Sequence, residues 1–257
     1  GFSLAFFIRF LDSDFFLKLQ LLTDLEVSVM TLLRLEGITK VYQQGKVEVP
    51  ALQGVDLTVK TGEFSSIAGP SGSGKSTLLN IIGCLDQPTE GQVFLDGQEV
   101  ESLSRNQLAM LRRYNLGFIF QDFNLIPVLS VYENVEFALR LLDKSKSELK
   151  EEVMDILEAV GLRELAARRP NELSGGQKQR VSIARALVKQ PKLILADEPT
   201  ANLDSDTSRD VLQVMTEMNQ KLATTFIFST HDPLVMDYAK RLINLKDGQI
   251  ESDKEVV

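Results

Sequence analysis

Short, mostly apolar runs recur along the chain, separated by stretches in which apolar residues follow helical spacing. Phe64–Ala68, residues 193–196 and residues 225–229 have the length and apolar character of buried strands. Helical spacing is found at residues 77–82, 181–188 and 211–222. The last of these segments carries Val211, Leu212, Met215, Met218 and Leu222 on one predicted face. Because buried strands alternating with helices are typical of a sheet covered on both sides, we predict an α/β fold.

Other segments add antiparallel and helical parts. Residues 33–41 and 55–59 are predicted to pair as antiparallel strands, and residues 93–95 and 242–245 are short strands before Asp-Gly turns. From residue 117 to residue 170 the pattern becomes helical. Ser145 and Glu148 match a capping box ahead of a helix that ends at Gly161. A helical insert is therefore expected between two halves of the core.

Composition sets broad limits on function. The 257 residues are 44% hydrophobic, enough for one α/β domain with an insert or for two small domains. The net charge of -8 argues against a broad nucleic-acid surface, although it leaves room for a local basic patch. The single Cys84 excludes a disulfide within the chain and is expected inside the helix after residue 77, as a small buried side chain.

The first 29 residues differ in character from the rest. Charged residues interrupt their apolar start, so no run reaches the ~18 apolar residues of a membrane span. They also lack the basic start of a secretory signal. We expect these residues to lie outside the domain, either as upstream read-through that is not native to the protein or as a non-conserved extension. An amphipathic membrane-surface helix is the alternative, but two basic and four acidic residues have the wrong sign for anionic lipid.

The segment after the first buried strand matches the phosphate-binding pattern G-x-x-x-x-G-K-[ST]. The whole candidate loop comprises Gly69, Pro70, Ser71, Gly72, Ser73, Gly74, Lys75, Ser76 and Thr77. Its glycines let backbone N–H groups surround phosphates at a helix N-terminus, Lys75 adds a positive charge, and the Ser76 hydroxyl can bind Mg²⁺. We predict that the chain binds a nucleoside triphosphate. A Gly/Ser-rich surface turn is the alternative, which the flanking strand and helix disfavour.

Polar residues at other strand and helix ends could complete such a site. Ser174, Gly175, Gly176 and Gln177 open a helix and form a second candidate anion site. Asp197 and Glu198 follow a buried strand, where Asp197 can hold Mg²⁺ and Glu198 can polarise an attacking water. A helix cap is the alternative for this acidic pair.

Two further side chains have both a functional and an ordinary interpretation. His231, the only histidine, follows the last buried strand, where it could contact a γ-phosphate or be a satisfied loop residue. Tyr42 could stack on a base or be a half-buried strand tyrosine.

Taken together, these motifs resemble the ATP-binding cassette (ABC) ATPases. Residues 173–177 are similar to the family signature, residues 194–198 to the Walker B strand with its glutamate, and residues 201–204 to the D-loop. Gln121 matches the Q-loop glutamine and His231 the switch histidine. Residues 122–127, 132–135 and 196–205 resemble the branch that includes lipoprotein-release and macrolide- or peptide-export ATPases. Ala201 departs from that branch, where glycine is usual.

The resemblance implies a fold and a mechanism. The fold is a P-loop NTPase core with a mixed, mainly parallel sheet, an antiparallel β subdomain and an inserted α-helical subdomain. The chain would form a head-to-tail homodimer that holds two ATP molecules, each between Lys75 of one copy and Ser174 and Gly176 of the other. Tyr42 would stack on adenine, Glu198 would be the general base, and His231 would hold the γ-phosphate. Ser76 and Gln121 would bind Mg²⁺, while Asp204 would connect the two sites.

The domain and partner predictions follow from the same resemblance. Residues 30–257 would form the nucleotide-binding domain, with the helical subdomain at about residues 122–176. ATP-driven dimerisation would move a separate integral membrane permease, docked near residues 123–133 and 168–172 at the cytoplasmic face of the membrane. No nucleic-acid partner is expected. A soluble ABC ATPase acting on DNA or ribosomes is the alternative, disfavoured by the short insert, the single phosphate loop and the lone cysteine. A small kinase or GTPase would leave residues 174–177 without a role.

Overall fold

The computed structural model describes residues 31–140, 142 and 145–256. The predicted extension, residues 1–29, lies outside the described residues. The described strands are β1 (Thr31–Gln44), β2 (Val47–Lys60), β3 (Phe64–Ala68), β4 (Glu90–Leu95), β5 (Gln98–Glu99), β6 (Leu116–Ile119), β7 (Leu193–Asp197), β8 (Thr225–Thr230), β9 (Arg241–Lys246) and β10 (Gln249–Glu255). The described α-helices are α1 (Lys75–Ile82), α2 (Arg105–Asn115), α3 (Val131–Leu139), α4 (Lys146–Ala159), α5 (Gly175–Leu187), α6 (Ser205–Leu222) and α7 (Pro233–Tyr238), with 3₁₀ turns at Arg163–Leu165 and Pro170–Glu172. None of these helices is long and apolar enough to cross a membrane.

A six-stranded sheet forms the centre of the molecule, in the order β10-β9-β3-β8-β7-β6. Strands β9, β3, β8, β7 and β6 are parallel, and β10 is antiparallel to β9. In the register of the parallel pairs, Ala68 lies opposite Thr230 and Asp197 opposite Ser229. The residues that follow β3, β7 and β8 therefore meet at one edge of the sheet, as the pattern of buried strands predicts.

Alternate residues of the central strands pack into two different hydrophobic cores. On β7, Ile194 and Ala196 belong to one core, while Leu193 and Leu195 belong to the other. The first core includes apolar residues of α3 to α7, and the second includes apolar residues of α1 and β1. The sheet is covered on both faces, which explains why its central strands consist mostly of apolar residues.

The predicted antiparallel pair is part of a second sheet. This sheet has the order β2-β1-β4-β5. Strands β1 and β2 pair antiparallel with several register shifts, and Tyr42 lies opposite Val49. The predicted strands at residues 33–41 and 55–59 are therefore confirmed, although both extend further along the chain. The mixed sheets with flanking helices confirm the predicted fold class.

The helical insert contains α3, α4 and the two 3₁₀ turns. The predicted capping box is present, because the Ser145 hydroxyl accepts from the backbone N–H of Glu148 and the Glu148 carboxylate accepts from the backbone N–H of Ser145. Val153 and Leu157 of α4 are fully buried. They belong to the same core as α5 and α6, so the insert packs against the helices that follow it in the chain.

Three local predictions are wrong. Helical structure does not begin at residue 117, because residues 116–119 form β6; a Cβ on Gly117 would lie 3.0 Å from the Ala186 carbonyl oxygen, so glycine lets this edge strand approach α5. Cys84 lies beyond the end of α1, at a φ of +54°, although it is buried and burial raises the pKa of its thiol to about 11. Leu222 is exposed, because it is the last residue of α6.

Candidate active site

The predicted phosphate loop connects β3 to α1 and approaches a neighbouring strand closely. Gly74, at the N-cap of α1, has a φ of +104° and no side chain that could cap the helix. A Cβ at this position would lie 2.5 Å from the Ala51 carbonyl oxygen of β2, so both the conformation and the space require glycine. Without a side-chain cap, the first N–H groups of α1 are left to bind an anion.

Lys75 is held across the loop. Its ammonium Nζ donates to the carbonyl oxygen of Gly69 at 2.8 Å and to that of Pro70 at 2.9 Å. The residue is only 8% exposed. Because an ammonium group carries three protons, these two bonds leave one for a ligand in the cleft.

The Ser76 hydroxyl oxygen and a carboxylate oxygen of Asp197 lie within hydrogen-bond distance of each other, although they belong to different elements. The Ser76 hydroxyl, on α1, donates to Asp197 Oδ1, at the end of β7, at 3.4 Å. Gln121, after β6, lines the same cleft. Among the described residues, no group of three or more His, Cys, Asp and Glu side chains is placed to hold a metal ion. A hydroxyl, an amide oxygen and one carboxylate suit Mg²⁺, which retains water and phosphate ligands.

Glu198 has a strained backbone and a carboxylate held by hydrogen bonds. Its φ is +45°, a left-handed conformation that costs a residue with a side chain about 1–3 kcal/mol. Its backbone N–H donates to the Ser229 carbonyl at 2.9 Å, and the Thr230 hydroxyl donates to its Oε2 at 3.1 Å. The strand register brings these partners together, so β8 fixes where the carboxylate lies.

His231 contacts the same carboxylate. Its Nδ1 lies 2.6 Å from Glu198 Oε1, and since an ionised carboxylate only accepts, this contact places the ring proton on Nδ1. The His231 side chain is 68% exposed, against 16% for Glu198. The exposed ring lines the cleft, which leaves Nε2 available to a ligand.

Tyr42 is anchored at the rim of the cleft by two residues. Its hydroxyl donates to Asp86 Oδ2 at 2.8 Å, and the Lys40 ammonium lies 5.0 Å from the ring centroid. Partial burial, followed by the hydrogen bond to Asp86, raises the pKa of Tyr42. Although burial opposes it, hydrogen bonding by Lys40 and Tyr42 lowers the pKa of Asp86. Sequence reasoning missed Lys40 and Asp86, because nothing in the sequence links Tyr42 to a carboxylate after α1.

These residues surround one cleft of about 580 Å³, a volume typical of small-molecule sites. Its lining comprises Tyr42, Ala51, Pro70, Ser71, Gly72, Gly74, Lys75, Ser76, Thr77, Gln121, Glu198, Ala201 and His231. Ala51 was not singled out in the sequence, and Ala201 was noted only as a departure from the D-loop of the resembling branch. Asp197 reaches the cleft through Ser76, while Gly69 and Ser73 are not among the lining residues, and Ser73 is buried behind the loop.

The other predicted site residues do not reach this cleft. Residues 174–177 and Asp204 are absent from its lining. Ser174 caps α5, where its hydroxyl accepts from the backbone N–H of Gln177. A Cβ on Gly176 would lie 2.3 Å from Thr207 Cγ2, so this glycine allows α5 to pack against α6. Asp204 caps α6, and hydrogen bonds from the backbone N–H and hydroxyl of Thr207 lower the pKa of its carboxyl group.

Contacts that sequence reasoning missed hold the segment after Gln121. The Asn202 amide donates to the Gln121 carbonyl and to Asp122 Oδ1, each at 3.0 Å. Phe123, at a φ of +60°, has its carbonyl bound by the Arg185 guanidinium of α5 at 2.8 Å. No spacing or motif indicates these contacts, because they join residues about 60 to 80 positions apart.

Comparison with known proteins identifies, over most of the chain, the same family that the sequence motifs resemble. A sequence model of the family described as "ABC transporter" matches residues 52–201. The chain is 45% identical to the uncharacterized ABC transporter ATP-binding protein MJ0796 of Methanocaldococcus jannaschii, over 88% of this chain and 97% of that protein. It is 46% identical to the macrolide export ATP-binding/permease protein MacB of Syntrophobacter fumaroxidans, over 89% of this chain but only 32% of MacB. The chain thus spans about a third of that relative.

Solved structures share the fold. A dimeric structure of the ATP-binding cassette MJ0796, in a post-hydrolysis state bound to ADP and Pi, matches with a TM-score of 0.81 at 44% identity. The match covers 88% of this chain and 99% of that one. The structure of cbiO1 from Clostridium perfringens, described as part of the complex cbiONQ, matches with a TM-score of 0.81 at 31% identity, over 88% of this chain and 89% of that one.

Proposed function

The chain belongs to the ABC transporter family of ATP-binding proteins, and from that premise we propose how its two sets of site residues act together. It is an ATP-binding and ATP-hydrolysing subunit of an ABC transporter. Our proposal concerns the role of each residue, the shared site and the membrane partner.

The cleft suits a nucleoside triphosphate bound with Mg²⁺. We assign the phosphates to the free N–H groups of α1 and to the remaining proton of the Lys75 ammonium. Ser76, Asp197 and Gln121 would hold the metal ion, which neutralises phosphate charge when bound. Tyr42 at the rim would stack on adenine.

Glu198 is our candidate for the general base. Its carboxylate accepts hydrogen bonds from Thr230 and His231 in a cleft that Lys75 also lines. In this position it would orient a water molecule and accept its proton as the water attacks the γ-phosphorus. His231 Nε2 would contact the γ-phosphate, while Nδ1 remains bound to Glu198.

The absence of residues 174–177 from the cleft carries the proposal of a shared site. The N-terminus of α5 offers N–H groups and a serine hydroxyl suited to a phosphate, but not to one bound in its own chain's cleft. A second copy in head-to-tail orientation would supply them, closing two ATP molecules between two chains. The dimeric solved structures of MJ0796 support this arrangement. Asp204 would lie at this interface and connect the two sites.

Two matched serine substitutions test the shared site. The Glu198→Gln chain should form a dimer at saturating Mg²⁺-ATP, and adding Ser174→Arg should leave it monomeric while it still binds ATP through Lys75. Ser145→Arg is the control, because Ser145 also caps an exposed helix start by a capping box. Sedimentation measures the dimer and equilibrium titration measures ATP binding. A dimer that survives Ser174→Arg, or a Glu198→Gln chain that stays monomeric, would refute the shared site.

A membrane permease is the partner that we propose, with the chain held at the cytoplasmic face of the membrane. The MacB relatives are named as ATP-binding/permease proteins, which supports a membrane partner. The docking surface would comprise residues 123–133 and 168–172. These segments lie together, because the backbone N–H of Val131 donates to the Arg168 carbonyl at 2.7 Å. Val128, 72% exposed, offers an apolar contact in this surface.

The docking surface is tested by a charge placed at its most exposed apolar position. Val128→Glu should abolish co-purification with membranes that retain the unaltered chain, and leave ATP turnover in solution within about twofold. Val47→Glu is the control, because Val47 is 63% exposed on β2, outside the proposed surface. Equal membrane recovery of both variants would show that the surface is assigned wrongly.

A further inference from the structure

Gln179 of α5 makes a buried contact next to the proposed base. The residue is fully buried, and its side-chain Nε2 donates to the Pro199 carbonyl oxygen at 2.6 Å. Pro199 directly follows Glu198 and is itself buried. Since Gln179 follows the signature residues on the same helix, this bond connects the start of α5 to the turn that carries Glu198.

Stability does not explain a glutamine at this position. Among the described residues, its side-chain Oε1 has no hydrogen-bond partner. A buried acceptor without a partner destabilises a protein, and this penalty offsets what the bond to the Pro199 carbonyl contributes to stability. The chain therefore retains an unfavourable oxygen together with the amide N–H that binds Pro199.

The turn at Glu198 needs external support. A left-handed φ of +45° persists in a residue with a side chain only where surrounding contacts impose it. At the start of the turn, the Glu198 N–H donates to the Ser229 carbonyl oxygen. Two residues later, the Thr200 hydroxyl donates to Asp232 Oδ2 at 3.3 Å. Between these ties, the Pro199 carbonyl is held by Gln179. Rotation of this carbonyl would change ψ of Pro199 and φ of Thr200, the backbone angles directly after Glu198, and would shift the turn that carries the Glu198 side chain.

We propose that Gln179 is a positioning residue for ATP hydrolysis: its amide holds the Pro199 carbonyl and so fixes the Glu198 carboxylate. This role rests on the proposed function of Glu198 as the general base. Through this hydrogen bond, α5 would have two roles. Its Ser174 would contact the ATP bound by the partner chain, and its Gln179 would position Glu198 of its own chain. Displacement of a catalytic group by 1 Å can lower a rate by about a hundredfold. Because Gln179 makes only one of several hydrogen bonds that hold the Glu198 turn, its loss is expected to lower the rate of ATP hydrolysis about tenfold.

The test replaces the amide by apolar side chains of similar size. Gln179→Met and Gln179→Leu, in the full chain, should each lower kcat for ATP hydrolysis about tenfold with KM for ATP unchanged. The melting temperature should change by only a few degrees, because removal of the unpaired oxygen offsets the loss of the donor to the Pro199 carbonyl. Gln213→Met is the matched control, since Gln213 is exposed on α6 and bonds only to Glu217 there. It should leave kcat and KM unchanged.

A second measurement separates positioning from general damage to α5. In the Glu198→Gln background, Gln179→Met should leave ATP-dependent dimerisation unchanged, because the signature surface remains intact. Loss of this dimerisation, a kcat within twofold of the unaltered chain, or an effect in only one of the two variants would overturn the proposal. These outcomes refute Gln179 alone, whereas unchanged turnover in Glu198→Gln itself would refute the base on which it rests.

Discussion

Glu198→Gln is expected to lower steady-state ATP turnover by about 10²- to 10⁴-fold while ATP binding is retained. An amide keeps the size of the side chain and an oxygen that can accept from Thr230 or His231, so the cleft should keep its shape. The glutamine amide, however, cannot accept the proton of an attacking water. The loss should therefore fall on kcat, because binding of the ground state does not depend on the base.

Phosphate release at saturating ATP and equilibrium binding of ATP measure the two effects of Glu198→Gln. Glu217→Gln is the control, because Glu217 lies on α6 with bonds to Gln213 and Lys221, outside the cleft. It should change neither quantity. Unchanged turnover in Glu198→Gln would show that another group accepts the proton. A loss of ATP binding that matched the loss of turnover would show that Glu198 supports the cleft structurally.

Lys75→Met is expected to weaken ATP binding by about 10- to 100-fold. A hydrogen bond to a charged group contributes about 1.5–3 kcal/mol, and each 1.4 kcal/mol is tenfold in affinity. The ammonium is mostly buried and already aligned by Gly69 and Pro70, so it needs no reorganisation to meet a phosphate. Methionine fills the space and removes the charge.

Equilibrium titration with ATP and Mg²⁺ measures the loss. Lys75→Arg should also bind ATP poorly, because a planar guanidinium does not replace a compact ammonium between two carbonyls. Lys221→Met is the control, since Lys221 is exposed on α6 and pairs with Glu217. ATP affinity within twofold of the unaltered chain in Lys75→Met would place the phosphates elsewhere.

Groups from several distant parts of the chain hold Glu198, the proposed base, in place. Thr230 and His231 bind the carboxylate of Glu198, and Ser229 binds its backbone N–H. Gln179 holds the carbonyl of the next residue. The left-handed backbone at Glu198 is therefore imposed by β8 and α5 together, which explains how a strained turn persists at this place.

Local patterns were sufficient to predict most elements and the order of the motifs. The buried strands β3, β7 and β8 are short segments with an apolar centre, and α4 and α5 begin at serine caps that a short pattern predicts. Where prediction was wrong, packing outweighed the local signal. Residues 116–119 form an edge strand because they pair with β7, which lies far away in the chain, and Gly117 leaves room for α5 beside them.

The sequence by itself determined the chemistry of this protein: a phosphate loop, a strand-end carboxylate pair and a family whose members hydrolyse ATP. Such motifs are readable because each depends on residues within one strand, turn and helix. Only the tertiary structure decided which of these residues share a cleft, that residues 174–177 lie outside it, and that Gln179 and Asn202 bind the carbonyls of Pro199 and Gln121. Those relations depend on strand order, on register and on the packing of α5, which join residues that no local pattern connects.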